Sequence, residues 1–252
     1  MRRLILAWLV VCWAADTRAG DDPVQAYARA AQYYDAGQFS SAAAVYDSLL
    51  SAGYRPPEVY FNLGNAYFRS GSLGEAIWAY RSALNLAPRD ADVQVNLTVA
   101  RLACRDRIEA AHPGLVKQLW REVSGVLSLA EGARLVTVLW FALWLAAAVG
   151  LWLPVTRRWI MPTAKLLALL WLVSAATLTL RYVARRNTEA GVVIAQETQA
   201  RSAPDPDEDV AFTGHAGMEC TVRGRRGEYL LIELANGRVG WIPASDLKLI
   251  ES

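Results

Sequence analysis

Two long apolar runs dominate the hydrophobic pattern of this chain. The first covers residues 135–153 without a charged side chain, and the second covers residues 160–181 with Lys165 near its start. Each run is long enough to cross roughly 30 Å of hydrocarbon as an α-helix. The pattern predicts a transmembrane helical hairpin whose basic loop, residues 154–159, faces the cytoplasm, because basic residues favour that side of a membrane. The flanking parts of the chain are then expected together on the other side.

A weaker amphipathic pattern precedes the hairpin at residues 114–134. Its apolar residues fall on one helical face, and Trp120 lies near the edge of that face with the basic Lys117 and Arg121. This arrangement predicts an interfacial amphipathic helix on the outer leaflet, in contact with membrane lipids. The alternative is a helix that packs on the domain before it.

The beginning of the chain has the pattern of a secretory signal. Arg2 and Arg3 precede an apolar run, and the small residues Thr17 and Ala19 lie at its end. We therefore predict a signal peptide at residues 1–20, with an uncleaved anchor helix as the alternative. Either outcome places the segment that follows outside the cytoplasm.

Residues 21–113 have a helical period and repeat themselves on a 34-residue offset. The second unit has the spacing Tyr60-x2-Leu63-Gly64-x2-Tyr67, which is typical of a tetratricopeptide repeat. Small residues let the two helices of a unit approach where they cross, and aromatic rings fill the space around the crossing. A last helix is expected to cap the stack. The matching pairs on the offset are Tyr33 and Tyr67, Gly37 and Gly71, Ala42 and Ala76, and Tyr46 and Tyr80.

Stacks of this kind present the first helix of each unit on a concave face, which can bind an extended peptide. An Asn and an Arg on an aromatic floor are suited to a peptide or its carboxylate terminus. We therefore predict a protein-binding surface on this face, although the aromatic residues could instead only pack against the next helix. The predicted partner-binding residues are Tyr27, Tyr34, Phe61, Asn62, Asn65, Phe68, Arg69 and Asn96.

The hydrophobic period changes to two in residues 189–252. Short apolar runs separated by turn residues predict a small all-β barrel of about five strands. Asn236 and Gly237 lie between two alternating runs, and this pair at such a position indicates a β-hairpin.

Three short strings in this last segment resemble the bacterial SH3-like domain: Arg201-Ser-Ala-Pro204, His215-Ala-Gly217 and Gly240-Trp241-Ile242. The resemblance implies that the Gly-Trp-Ile strand is largely core and that a groove binds cell-wall peptides or proteins. The same residues serve equally well as solvated loop and core. The groove candidates are Asp207, Glu208, Arg225, Tyr229 and Trp241.

Composition narrows the possible functions. The net charge is +2, but acidic residues outnumber basic ones in both soluble parts, so neither suits the phosphate backbone of a nucleic acid. The sequence offers no Ser/His/Asp or Cys/His set and no glycine-rich phosphate loop, which predicts a protein without enzymatic activity or cofactors. With only His112 and His215, no zinc site is expected. Cys104 and Cys220 are predicted to be buried small side chains.

The order of the segments predicts a multi-domain membrane protein with an all-α tetratricopeptide stack, a transmembrane helical hairpin and a small all-β SH3-like barrel. Together with the strings at residues 60–68 and 76–97, this order resembles the BatE-type proteins of the bacterial aerotolerance (Bat) operon. The resemblance implies a two-pass inner-membrane scaffold whose soluble domains face the periplasm. Its implied partners are von Willebrand factor A-type membrane proteins and a MoxR-type ATPase. The alternative is a membrane-anchored peptidoglycan-binding module with the repeats as spacer.

Overall fold

The computed structural model describes residues 22–106, 129–152, 157–186 and 189–250. The predicted signal peptide at residues 1–20 and residues 114–128 of the predicted interfacial helix lie outside these ranges. The helices are α1 (Pro23–Asp35), α2 (Phe39–Ser51), α3 (Pro57–Ser70), α4 (Leu73–Leu86), α5 (Ala91–Ala103), α6 (Leu129–Trp152) and α7 (Arg157–Arg186). The strands are β1 (Glu189–Val193), β2 (Glu197–Arg201), β3 (Val210–His215), β4 (Glu219–Arg226), β5 (Tyr229–Glu233), β6 (Val239–Pro243) and β7 (Leu247–Leu249).

Helices α1 to α5 form the predicted repeat stack of two helix pairs and a capping helix. Gly37 and Gly71, which match on the 34-residue offset, both adopt the left-handed backbone conformation (φ 75° and 84°) where the first helix of each pair ends. Gly64 lies where α3 crosses α4, and a Cβ at this position would be 2.6 Å from the ring of Tyr80. The repeat therefore depends on the small residue that the sequence pattern indicated.

The two apolar helices, α6 and α7, pack antiparallel to each other. Their contacts include Gly132 against Leu178 and the rings of Trp140 and Trp171, whose centroids are 5.2 Å apart. The segments Glu131–Gly150 and Met161–Val183 have a mean hydropathy of 1.8 and expose their side chains. Both helices are thus long and apolar enough to cross a membrane.

These helices extend beyond the predicted apolar runs. Helix α6 begins at Leu129, so the described part of the predicted interfacial segment, residues 129–134, belongs to the same helix as the apolar run. Helix α7 begins at Arg157, inside the predicted loop at residues 154–159, and continues to Arg186. The helices are longer than the apolar runs because hydropathy marks the apolar part of a helix, whereas Arg, Glu and Ala continue the helix itself.

The C-terminal segment forms one antiparallel sheet of seven strands in the order β3-β2-β6-β5-β4-β1-β7. The expected number of five strands was wrong. Strand β2 was missed because its alternating Thr198 and Ala200 face the core between polar residues. The long run from Val210 is divided by a turn at Gly217 (φ 91°) into β3 and β4. The hairpin predicted at Asn236 and Gly237 is present between β5 and β6.

The sheet packs directly on the repeat stack, which the sequence did not indicate. Val192 of β1 belongs to the hydrophobic core of the helices. Gly74 of α4 lies so close to β1 that a Cβ there would be 2.5 Å from the carbonyl oxygen of Val193. Helices and sheet therefore form one continuous packed body.

Candidate functional site

A small pocket of about 170 Å³ lies on the face formed by α1, α3, α4 and α5. It brings together five of the predicted partner-binding residues. The seven lining residues are Tyr34, Asn65, Phe68, Arg69, Tyr80, Asn96 and Val99, and we call this site the groove.

Asn65 connects the polar side chains of the groove. Its Oδ1 atom accepts hydrogen bonds from the hydroxyl of Tyr80 and from Nδ2 of Asn96, both at 2.8 Å. Burial raises the pKa of Tyr80, so its hydroxyl stays protonated and keeps donating. Because both bonds go to the oxygen, the Nδ2 group of Asn65 can donate to a bound ligand.

Arg69 supplies the positive charge of the groove. Its guanidinium carbon lies 4.5 Å from the centroid of the Phe39 ring, and this stacking orients an otherwise exposed side chain. No carboxylate among the described residues forms an ion pair with Arg69. Its exposed guanidinium is therefore available to an anionic group.

The other three predicted residues have packing roles beside the groove. Asn62 donates a hydrogen bond of 2.6 Å to the hydroxyl of Tyr27, which joins the first repeat to the second. Phe61 packs against Tyr80, with ring centroids 6.3 Å apart. None of the three lines the pocket.

Three residues of this site were not predicted. Tyr80 had been assigned to the repeat core, although its hydroxyl reaches the groove. Val99 is three positions after Asn96 on α5, so the spacing of a helical face could have revealed it. Phe39 carries no sequence signal, because only the fold brings it to Arg69.

The candidate residues of the sheet do not form one site. Asp207 and Glu208 lie in the loop between β2 and β3, while Arg225 and Tyr229 lie beside the turn between β4 and β5. Trp241 is half-buried on the outer face of β6, whereas its neighbours Gly240 and Ile242 are buried. The implied core position of Trp241 was therefore wrong in part, because the alternation of β6 turns Ile242 and not Trp241 inward.

The contact between helices and sheet is rich in polar interactions. Nε1 of Trp78 donates a hydrogen bond of 2.8 Å to the carbonyl of Leu249. Glu219 of β4 accepts from Arg101 at 2.6 Å and pairs with Arg81 at 3.1 Å. These contacts use other faces of α4 and α5 than the groove does, so the sheet leaves the groove open.

Two further residue clusters stabilise the interface between the helices and the sheet. Asp106, just after α5, accepts from the backbone N–H of His215 at 2.7 Å and lies 2.9 Å from Nδ1 of the same residue. The amino group of Lys248 lies 3.5 Å from the centroid of the Trp78 ring and 4.0 Å from a carboxylate oxygen of Asp47. His215 thus serves the interface in this structure.

Neither metal-binding nor thiol chemistry is supported by the described part of the chain. It contains no group of three His, Cys, Asp or Glu side chains arranged to hold a metal ion. Cys104 and Cys220 are free and buried, as predicted. Burial raises the pKa of Cys104 to about 11 and that of Cys220 to about 12, so both remain neutral thiols at ordinary pH.

Comparison with known proteins supports the helical stack. The family model described as a TPR repeat matches residues 64–102, from the middle of α3 to the end of α5. The chain contains a TPR repeat. The matched region includes Asn65, Phe68, Arg69, Tyr80 and Asn96 of the groove. No curated protein matches the chain. TPR repeats mediate contacts between proteins, and this match therefore indicates a role in protein–protein interaction.

Proposed function

We propose that the protein is a non-catalytic membrane scaffold that binds a segment of a partner protein in the groove of its TPR stack. The single observation that carries this proposal is the combination of Arg69 with the Asn65 network on an aromatic floor. The partner segment is extended and presents a carboxylate, either a side chain or a chain terminus. Arg69 binds this carboxylate and Nδ2 of Asn65 donates a second hydrogen bond.

The apolar helices α6 and α7 provide the membrane anchor in this proposal. Their length and hydropathy support a two-pass insertion. The contact between Trp78 and Leu249 supports an arrangement in which the TPR stack and the sheet lie on the same side of the membrane. The signal-like residues 1–20 favour the periplasmic side of a bacterial inner membrane.

The order of the domains favours partners in the bacterial envelope. Its resemblance to Bat-type proteins supports von Willebrand factor A-type membrane proteins and a MoxR-type ATPase system as the assembly to test first. In this scheme the C-terminal sheet has an SH3-like fold. Its main role is to stiffen the TPR stack, because it packs against the faces of α4 and α5 that do not line the groove.

Affinity purification of the full-length protein from detergent-solubilised membranes tests the groove. Arg69→Ala is expected to weaken the affinity for the bound envelope protein at least about tenfold and so to reduce its recovery, since a charge-assisted hydrogen bond contributes about 1.5–3 kcal/mol. Adding Asn65→Ala is expected to weaken recovery further. The matched control is Arg105→Ala, which removes the same charge from an exposed residue outside the groove. Unchanged recovery with both groove substitutions would exclude this binding site.

Fusions of alkaline phosphatase test the orientation. The enzyme is active only outside the cytoplasm, so fusions after Ala110 and after Ser252 should both be active. An inactive fusion after Ser252 combined with an active one after Ala110 would contradict the two-pass arrangement.

A further inference from the structure

One end of the packed body carries both attachments to the apolar hairpin. Helix α4 runs antiparallel to β1, because Gly74 near its start contacts Val193 near the end of β1, whereas Trp78 one turn later bonds Leu249, which pairs with Gly191. The end of α4 and the start of β1 therefore lie on the same side of the body. Strand β1 starts at Glu189, shortly after α7 ends at Arg186.

A second contact places the start of α6 at this end as well. Nη1 of Arg89, in the turn between α4 and α5, lies 3.0 Å from Oε1 of Glu131 in the first turn of α6. Both helices of the hairpin thus meet the same end of the body. If the hairpin crosses a membrane, this end faces the membrane surface.

Strand β4 extends toward that surface. It pairs antiparallel with β1, and Val222 lies opposite Glu189, the first residue of β1. The rest of β4 therefore runs past the start of β1, at the end of the body where Arg89 contacts Glu131 of α6. The segment from Val222 to Arg226 spans about 13 Å at the rise of a β-strand.

The length of the end of β4 is similar to the distance between Glu189 and the apolar segment of α7. The apolar segment of α7 ends at Val183, and three more helical residues to Arg186 add about 4.5 Å. Three further residues to Glu189 add at most about 10 Å. Glu189 is thus at most about 15 Å from the hydrocarbon. The segment from Val222 to Arg226 covers about 13 Å, so it is long enough to reach the headgroups.

The end of β4 is basic. Arg223, Arg225 and Arg226 are exposed, and we call these three residues the basic tip. Arg223 pairs with Glu233 at 2.5 Å, whereas Arg225 and Arg226 have no ion pair among the described residues. The acidic Glu228 lies in the adjoining turn, where Arg225 and Arg226 outnumber it.

A cavity of about 400 Å³ opens beside the tip. Arg223 and Arg225 lie on its wall together with the carboxylate of Glu189, and Leu230 and Leu247 contribute apolar surface. A phosphate near the arginines and the upper part of an acyl chain against the leucines suit this lining.

We propose that the basic tip binds the phosphate groups of anionic phospholipids at the surface of the membrane that α6 and α7 enter. This proposal rests on the membrane insertion proposed above. Each basic residue near an anionic surface contributes about 1 kcal/mol. Arg225 and Arg226 together should therefore favour contact of the tip with the lipid about 30-fold. The contact fixes the orientation of the TPR groove relative to the bilayer.

The test uses the full-length protein in vesicles of phosphatidylcholine, alone or mixed equally with phosphatidylglycerol. A fluorophore on Glu228→Cys, in a Cys12→Ser background, reports proximity to lipids that carry a quencher on the headgroup. Strong quenching is expected in the mixed vesicles and weak quenching in phosphatidylcholine alone. Arg225→Ser with Arg226→Ser should abolish the difference.

Arg105→Ser is the matched control, because Arg105 follows the end of α5, whereas the contact with α6 is made by Arg89 just before the start of α5. The fluorophore on this variant should be quenched as strongly as the fluorophore on the parent protein. Resistance of the reconstituted protein to alkaline extraction reports insertion separately. Inserted protein with equal quenching in both vesicles would overturn the lipid contact alone. Protein that alkali extracts would overturn both the insertion and the lipid contact.

Discussion

At the scale of single residues, burial decides the chemistry of the two described thiols. Cys104 lies within the contact between α5 and the sheet, where a Cβ on Gly217 would be 2.5 Å from its sulfur. Cys220 is buried inside the sheet. In both cases burial is the largest cause of the raised pKa, because it disfavours the thiolate. The thiols therefore act as small apolar side chains.

This burial predicts a loss of stability at alkaline pH. The unfolded thiols ionise near pH 9.0, while the folded ones keep their protons up to a pKa of about 11 for Cys104 and about 12 for Cys220. The unfolded state thus binds fewer protons above pH 9.0, and the free energy of unfolding falls as the pH rises. Denaturant unfolding in detergent at about pH 8 and about pH 10 measures this change.

Cys104→Ala combined with Cys220→Ala should flatten the pH dependence between these two values. If the double variant loses stability as steeply as the parent protein, other groups cause the dependence and the assignment to the thiols is wrong.

At the scale of elements, the crossing of α3 and α4 positions the groove. Gly64 allows the ring of Tyr80 to pack closely against α3, and the hydroxyl of Tyr80 then reaches Asn65. The same close approach that stabilises the repeat therefore also places the hydroxyl of Tyr80 in the hydrogen-bond network of the groove. Core packing and the shape of the groove are coupled at this crossing.

Gly64→Ala should destabilise the protein and distort the groove. The added methyl group would lie 2.6 Å from the ring of Tyr80, and overpacking of this kind costs about 1–3 kcal/mol. The higher helix propensity of Ala offsets at most about 1 kcal/mol of this cost. Thermal unfolding should show a lower midpoint.

Gly224→Ala is a suitable control for this substitution, because its nearest neighbouring atom would be 4.0 Å away. Addition of Tyr80→Leu to Gly64→Ala should recover part of the lost stability. Equal midpoints for Gly64→Ala and the parent protein would show that the crossing has room for a side chain.

At the scale of the whole molecule, the sheet and the TPR stack act as one body. The interface combines apolar packing of Val192 with the bond from Trp78 to Leu249 and the pairs of Glu219 with two arginines. In the proposed two-pass arrangement the flanking parts lie on one side of the membrane, and this interface joins them. A partner bound in the groove therefore meets a rigid scaffold.

Trp78→Phe combined with Glu219→Gln should uncouple the two parts. The first substitution removes a hydrogen bond that contributes about 1 kcal/mol. The second weakens two partly exposed ion pairs that contribute up to about 1 kcal/mol each. Hydrogen exchange should become faster in β1 and β7 than in α3 in this variant.

Glu197→Gln provides the control, since Glu197 is exposed on β2 and forms no ion pair with the helices among the described residues. It should leave the exchange rates unchanged. Uniform protection of sheet and helices in the double variant would mean that apolar packing alone couples them.

Local patterns predicted much of this molecule. The 34-residue repeat located the helix pairs, because the glycines that end a helix and the small residues at a crossing recur in each unit. Period-two alternation located the sheet but not its number of strands, since a polar strand such as β2 has few apolar positions to reveal it. Five residues of the groove followed from the faces of α1, α3 and α5.

The sequence by itself determined the class of each segment: helical repeat, apolar hairpin and sheet. Periodicity shows which face of an element is buried, but it does not show which other element covers that face. Only the tertiary structure decided that the sheet packs behind α4 and α5 and that Phe39 orients Arg69. Trp78 and Leu249 are 171 residues apart in the chain, so no local pattern connects them. Such contacts arise from the complementary shape and charge of surfaces that exist only after each element has folded.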